Sequence, residues 1–332
     1  MINGSIKTYD VVILTHAPHD DLFYSIQKLR EQTVKPRTII IYNTDKDRFY
    51  DNITKKNELD TLFASLKDDG IKFTRVDIDE DEFDHGKARN DAANMVTSNY
   101  VLFMTDDAIP YDEKLSTNLM SAFLEYSDEK SKVAVSYARQ LAKKNARLKE
   151  KIIREYNYPS INIVKEKSKE KILGIKNYFC SNVCAMYDMS IFKSLGKFEE
   201  NIILNEDTFY VYKAIQNGYK IVYSSKALVL HSHNLTYMNQ FSRNFDIGVS
   251  QRERKELFQS IKSEKEGLSL IKYALPRFLK GCHFISLCDF IIDCIYRYCG
   301  YRQGINYEKL SIDKCIKYAN NKKYFLKRTR HN

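Results

Sequence analysis

The chain has 332 residues, 43% of them hydrophobic and 29% charged, with eleven glycines and five prolines. That composition supports one large core, or a core with an appendage, and excludes wholesale disorder and collagen-like or low-complexity architecture. The net charge of +10 is uneven: residues 251–332 carry 18 Lys and Arg against 8 Asp and Glu, while residues 1–250 are neutral.

The opening MINGSIKTYD lacks the apolar run of a signal peptide, and no stretch reaches the ~18 uninterrupted apolar residues of a membrane-spanning helix. A cytoplasmic protein is expected, and its seven cysteines, none in a C-x-x-C pair, read as free thiols. Residues 10–15 (DVVILT) and 38–42 (TIIIY) are short, β-branched and flanked by polar residues, as buried strands are. Asp20 and Asp21 ahead of Leu22, Ile26 and Leu29 signal a helix between them. Residues 55–68 read as a helix, 71–78 as a strand, 86–97 as a helix and 100–105 (YVLFMT) as a strand. This alternation predicts an α/β sandwich with a mainly parallel sheet, whose sites lie at the C-terminal ends of the strands.

The residues at those ends are polar. Thr15, His16, Ala17 and Pro18 follow the first strand, Asn43, Thr44 and Asp45 the second, and Thr105, Asp106, Asp107 and Ala108 the fourth. No G-x-G-x-x-G follows the first strand and no G-x-x-x-x-G-K-[ST] occurs, which disfavours dinucleotide and P-loop chemistry. Paired acids at a strand end suit a hard divalent cation bound to phosphate oxygens, although acids near Asp112 also suit a helix N-terminus around Glu113. Asn205, Glu206 and Asp207 likewise stand at the start of an apolar-periodic helix.

Four motifs occur in a fixed order: FDHGKARN (Phe83–Asn90), MTDDAIP (Met104–Pro110), ILNEDTFY (Ile203–Tyr210) and LVLHSHN (Leu228–Asn234). With Ser181–Glu200, Gln240–Ser250 and the tail segment Gly300–Leu310, they resemble glycosyltransferase family 2, most closely its rhamnosyltransferase-like bacterial members. The resemblance covers roughly residues 8–250. It implies a GT-A nucleotide-sugar-binding fold, a nucleoside diphosphate-sugar donor, a divalent metal (Mg2+ or Mn2+) and inversion at the anomeric carbon.

The resemblance also implies site residues. Asp107 matches the last acid of the family's D-x-D motif, here T-D-D because Thr105 replaces the first acid. His231 and His233 offer a further metal ligand, and period-two alternation puts both on one face, though a surface histidine pair would show the same spacing. Asp207 matches the catalytic carboxylate, with Glu206 orienting its loop or binding acceptor. Lys87 and Arg89 are candidates for the diphosphate, with Gly86 allowing close backbone approach and Asn90 bracing the turn. Thr15, Pro18, Asn43, Asp45, Asp106, Ser181 and Asn182 are expected around the nucleotide-sugar. The loop after the second strand, YNTDKD, lacks the glycine and serine of the usual family pattern.

Residues 139–176 are strongly basic and read as an insertion or lid between the donor and acceptor halves, or as a solvated helix with a linker. Residues 1–250 are expected to be catalytic and 251–332 a basic helical region. In that tail, Asp289 and Asp293 would share a face opposite Phe284, Leu287, Phe290 and Ile291, either resting on anionic lipid or packing on the catalytic unit. The combined expectation is a peripheral enzyme at the inner face of the membrane, acting on a saccharide or lipid-linked acceptor in capsule or O-antigen-type synthesis and binding no nucleic acid. A nucleotidyltransferase and a non-catalytic carbohydrate- or membrane-binding scaffold are the alternatives.

Overall fold

The computed structural model describes residues 7–258 and 264–329. Its first part runs β1 (Tyr9–His16), α1 (Asp21–Arg30), β2 (Thr38–Thr44), α2 (Lys56–Ser65), β3 (Lys72–Ile78), α3 (His85–Asn94) and β4 (Tyr100–Thr105). Next come β5 (Ile109–Pro110), α4 (Leu115–Glu125), β6 (Val133–Leu141), α5 (Leu148–Asn157), β7 (Ile163–Lys165) and α6 (Glu170–Leu173). The rest of the sheet unit is β8 (Cys184–Asp188), α7 (Met189–Ser194), α8 (Glu206–Gln216) and β9 (Lys220–Leu230). Six helices follow: α9 (Tyr237–Glu253), α10 (Lys255–Phe258), α11 (Glu264–Lys280), α12 (Phe284–Ile305), α13 (Ile312–Tyr318) and α14 (Lys322–Thr329). The strands and helices expected over residues 10–105 all form.

The sheet order is β3-β2-β1-β4-β8-β6-β9-β5, with β7 on β9. β3, β2, β1 and β4 are mutually parallel; β1, β2 and β4 carry the unbroken apolar runs of strands buried on both faces, while β3 at the sheet edge is only half-buried. Val11, Ile13, Ile39, Ile41 and Leu102 meet Leu22 and Ile26 of α1 on one side. The alternate residues Val12, Leu14, Ile40, Val101 and Phe103 meet Ala88 and Ala92 of α3 on the other.

β8 then runs antiparallel to both β4 and β6, and β6 runs parallel to β9. Cys184 therefore pairs with Met104, so the start of β8 lies beside the end of β4, where Thr105 N–H donates to Val183 O at 3.2 Å. Leu141 at the end of β6 pairs with Leu230 at the end of β9. One edge of the sheet thus collects the ends of β1, β2, β4, β6 and β9 and the start of β8.

The C-terminal helices pack on this unit rather than hanging from it. α9 and α12 run the same way and touch through glycine: a Cβ on Gly300 would strike Phe241 O, and one on Gly304 would strike Phe245 O. α13 and α14 fold back, where Cys315 and Phe325 join Phe245, Val249 and Ile203. On the other flank Ala274, Phe278 and Phe290 cover Ile152 and Ile153 of α5. There Lys149 Nζ stands 3.0 Å from Asp289 and 3.2 Å from the fully buried Asp293. The aspartates are thus on the inward side of α12, together with Leu287 and Phe290, not opposite them. Buried Lys149 makes this placement stable, because it supplies the counter-charge a carboxylate needs out of water.

The glycine contact generates a stability prediction. Gly304→Val forces side-chain atoms into the Phe245 backbone and should destabilise the protein by on the order of 1–3 kcal/mol, read as a lower urea midpoint. An unchanged midpoint would show that α9 and α12 are not packed this closely.

Candidate active site

A candidate metal corner forms where β4 and β9 end. Asp107 Oδ2 lies 3.3 Å from His231 Nε2 and 3.0 Å from His233 Nε2. One ligand atom from each residue lies within 4.8 Å of the others, the only such group among the described residues. A carboxylate oxygen and two imidazole nitrogens aimed at one point fit a divalent cation. Thr105, in the place of the missing first acid, donates from Oγ1 to Asp107 Oδ1 at 2.7 Å and so fixes the carboxylate.

A second layer fixes the histidine. His231 Nδ1 lies 2.9 Å from Gln140 Oε1, so its N–H points at glutamine and its Nε2 lone pair is left for a ligand. Arg154 of α5 donates to the same Gln140 oxygen, and its Nη1 stands 3.2 Å from Nδ1. Burial pushes the His231 imidazole below its usual range. Burial opposes the Asp107 charge, but His231 and His233 outweigh it and hold that carboxyl far below the carboxylate range. Burial and the adjacent Asp107 push Asp106 up to about 7.

The second pair of acids opens α8. Asn205 takes a left-handed conformation, φ 74°, and its side chain leaves the helix to donate to Ser250 Oγ at 2.9 Å. Glu206, 5% exposed, pairs with Arg89 Nη1 at 3.0 Å. Asn182 holds both acids: its Nδ2 donates to Glu206 Oε1 at 3.1 Å and its backbone N–H to Asp207 Oδ2 at 3.2 Å. Thr208 N–H donates to the other Asp207 oxygen at 2.7 Å. Burial works against the Glu206 charge, and Arg89 and His85 overcome it, keeping this acid below its usual range. Burial and then the ionised Glu206 push Asp207 up to about 7. The two centres are joined, because Gln140 Nε2 donates to Ser181 Oγ at 2.9 Å, one residue before Asn182.

The FDHGKARN helix buttresses this loop. Arg89 is buried, bound to Glu206 and to His85 O at 3.1 Å, so its charge is met inside the protein. The close backbone approach allowed by Gly86 is to Glu199 O. Asn90 exchanges hydrogen bonds with the Phe198 backbone at 3.0 Å. Lys87 stays at the surface and pairs with Asp91 at 2.9 Å. Across the sheet edge, Thr15 Oγ1 donates to Asn43 Oδ1 at 2.8 Å, and Asn43 Nδ2 donates to Asp77 Oδ1 at 2.8 Å. Pro18 is buried just after Ala17, and Asp45 has φ 68° and accepts from Asp47 N–H at 3.2 Å. Gln140, Arg154 and Asp77 have no motif to announce them, and His85 stands inside FDHGKARN without having been singled out. Gln140 is one residue in the alternating strand VAVSYARQL, and only its register beside β8 and β9 gives it its neighbours.

Residues 10–196 match the sequence profile described as Glycosyl transferase family 2. The chain belongs to this family. It is 32% identical over 302 residues to the O-antigen chain rhamnosyltransferase RfbN of Salmonella typhimurium, covering 90% of each chain. It is also 32% identical over 308 residues to the O-antigen chain rhamnosyltransferase WbaN of Salmonella anatum, covering 92% of this chain and 90% of that one. Its fold is similar to that of the mannosyltransferase PcManGT from Pyrobaculum calidifontis in complex with GDP-Man and Mn2+, with a TM-score of 0.58 and 12% identity over 91% of this chain and 88% of that one. It is also similar to S. aureus TarS 1-349, with a TM-score of 0.51 and 15% identity over 82% and 72% of the two chains. The glycosyltransferase therefore has the GT-A fold its motifs implied, and family membership sets aside the nucleotidyltransferase and scaffold readings.

A carboxylate with a raised pKa works as a base only once ionised. In this glycosyltransferase kcat/KM should fall as pH drops through about 7, where Asp207 takes up its proton. Glu206→Gln removes the like charge and leaves Arg89 facing Asp207, so the limb of the pH profile should move to lower pH. A limb that stays in place in this variant would separate the pH dependence from this pair.

Proposed function

We propose that the glycosyltransferase moves a sugar, rhamnose, from a nucleoside diphosphate-sugar to a saccharide acceptor on a lipid carrier, with inversion at C1, during cell-surface polysaccharide assembly. What supports this most is one arrangement: a metal corner and a buried carboxylate with a raised pKa at the same sheet edge, linked through Gln140 and Ser181. Its similarity to O-antigen chain rhamnosyltransferases supports the sugar and the setting.

Asp207 takes the proton of the acceptor hydroxyl as that oxygen bonds to C1. The bond from C1 to the diphosphate oxygen breaks on the opposite face, and the nucleoside diphosphate leaves. Glu206 stays ionised against Arg89 and keeps Asp207 basic enough for this near neutral pH. Asp107, His231 and His233 hold the divalent cation, which when bound neutralises the departing diphosphate as a Lewis acid. Two imidazole nitrogens favour Mn2+ over Mg2+, which prefers oxygen ligands.

Thr15, Pro18, Asn43 and Asp45 bind base and ribose, Lys87 takes the diphosphate, and Asp106 and Ser181 line the donor sugar. Arg89 and Asn182 act through the two acids of α8. Residues 1–250 are the catalytic unit, and 251–332 hold the enzyme at the inner face of the membrane. Among the described residues no helix is long and apolar enough to cross one.

Two measurements test this. Thermal shift with manganese against UDP, dTDP, GDP and CDP should single out one nucleotide. A ligand at ~100 times its Kd adds ~2.7 kcal/mol, and chelator or Asp107→Ala should abolish the gain. Asp207→Asn should keep that response yet lower kcat by ~10² or more. No response to any nucleotide would overturn the donor site, and full turnover by Asp207→Asn would overturn the base.

A further inference from the structure

The hairpin of α11 and α12 has two unlike sides. Toward the catalytic unit it buries Ala274, Phe278 and Phe290 on α5 and closes Asp289 and Asp293 over Lys149. Away from it, Leu268, Ile271, Leu275 and Leu279 follow one another along α11 at spacings of three and four. Ile285, Ile292, Ile295 and Tyr298 follow along α12 at spacings of seven, three and three, Ile285 being 90% exposed and Leu268 64%. Isolated exposed apolar residues are ordinary; two helical stripes on adjacent helices form a surface with a purpose.

Charge identifies the occupant. From Glu266 to Ile305 the carboxylates are Glu266, Asp289 and Asp293: Lys176 pairs with Glu266 at 2.9 Å, and Lys149 holds both aspartates, with Arg297 also on Asp293. Lys272 and Lys280 are exposed on the same hairpin. The outer surface therefore offers hydrocarbon and positive charge, with the acids turned inward. A second copy of this chain would bring basic edge against basic edge. An anionic bilayer answers both features, because interfacial helices bury an apolar face among headgroups while cations meet lipid phosphates.

We infer that the outer face of the α11–α12 hairpin is a lipid-docking surface that seats the enzyme on anionic membrane with both helices in the headgroup layer. α5 carries the consequence to the site. Its Lys149, Ile152 and Ile153 grip the hairpin, and its Arg154 reaches Gln140 and His231. Ten residues of helix span ~15 Å, so the docked hairpin stands within about that length of the metal corner. A saccharide on a lipid carrier would arrive beside the cation; this clause rests on the acceptor proposed above, while the docking surface does not.

The test is co-sedimentation of the full chain with vesicles of equal parts phosphatidylglycerol and phosphatidylcholine, against phosphatidylcholine alone. Binding should require the anionic lipid and weaken with salt. Ile285→Glu with Ile295→Glu should lower the partition at least tenfold. Lys272→Gln and Lys280→Gln should each lower it about fivefold. Leu124→Glu, an equally exposed site on α4, should leave it unchanged. All variants should keep the thermal response to manganese and nucleotide, which separates failure of docking from failure of the donor site. Absence of binding to the anionic vesicles, or binding undiminished by the isoleucine variant, overturns the inference. A dimer in sedimentation velocity that the isoleucine variant dissolves would give the face to a second copy and overturn it equally.

Discussion

The reversal of β8 is the constraint on which the rest of the site depends. In a wholly parallel sheet, the segment before a strand lies at the opposite edge from the segment after its neighbour. Because β8 runs against β4 and β6, the residues that precede it, Ser181 and Asn182, arrive beside the residues that follow β4, Thr105 to Asp107. Asn182 can then hold the acids of α8, and Ser181 can reach Gln140. Had β8 been parallel, Ser181 and Asn182 would lie at the opposite edge from Thr105 to Asp107.

On that edge sit two adjacent pairs of acids, each divided by its surroundings. Asp107 stays ionised between two imidazoles, while Asp106 beside it is pushed toward neutrality. Glu206 stays ionised against Arg89 and His85, while Asp207 beside it is raised. Neighbouring carboxylates in a site of low polarity cannot both ionise freely, so each pair resolves into one fixed charge and one proton-exchanging group. The fixed charge suits a cation ligand in one pair and an electrostatic brace in the other.

The C-terminal helices extend the same use of paired charges. Lys149 draws Asp289 and Asp293 to the inner side of α12, leaving the outer side without acid. Asp246 of α9, buried and pushed up to about 7 by that burial, accepts the backbone N–H groups of Asn320 and Asn321 and ties the last helices down. Asn321 Nδ2 in turn donates to Ile203 O at 3.2 Å, just ahead of Glu206. The tail thus supports the catalytic loop as well as presenting a surface of its own.

By itself the sequence determined the strands and helices of the first 105 residues, because burial on both faces and helical periodicity are local signals. It also determined the convergence of His231 and His233, since alternation along a strand fixes a shared face, and the family membership carried in the short motifs around Asp107 and Asp207. Tertiary structure decided what depends on register between distant segments. It turned Arg89 inward to Glu206, made Gln140 the link between the two centres and put Asp289 and Asp293 on the buried side of α12. A guanidinium or a carboxylate takes the partner whose charge it can meet out of water, and that partner stood far away in the chain: Glu206 for Arg89, Lys149 for the aspartates.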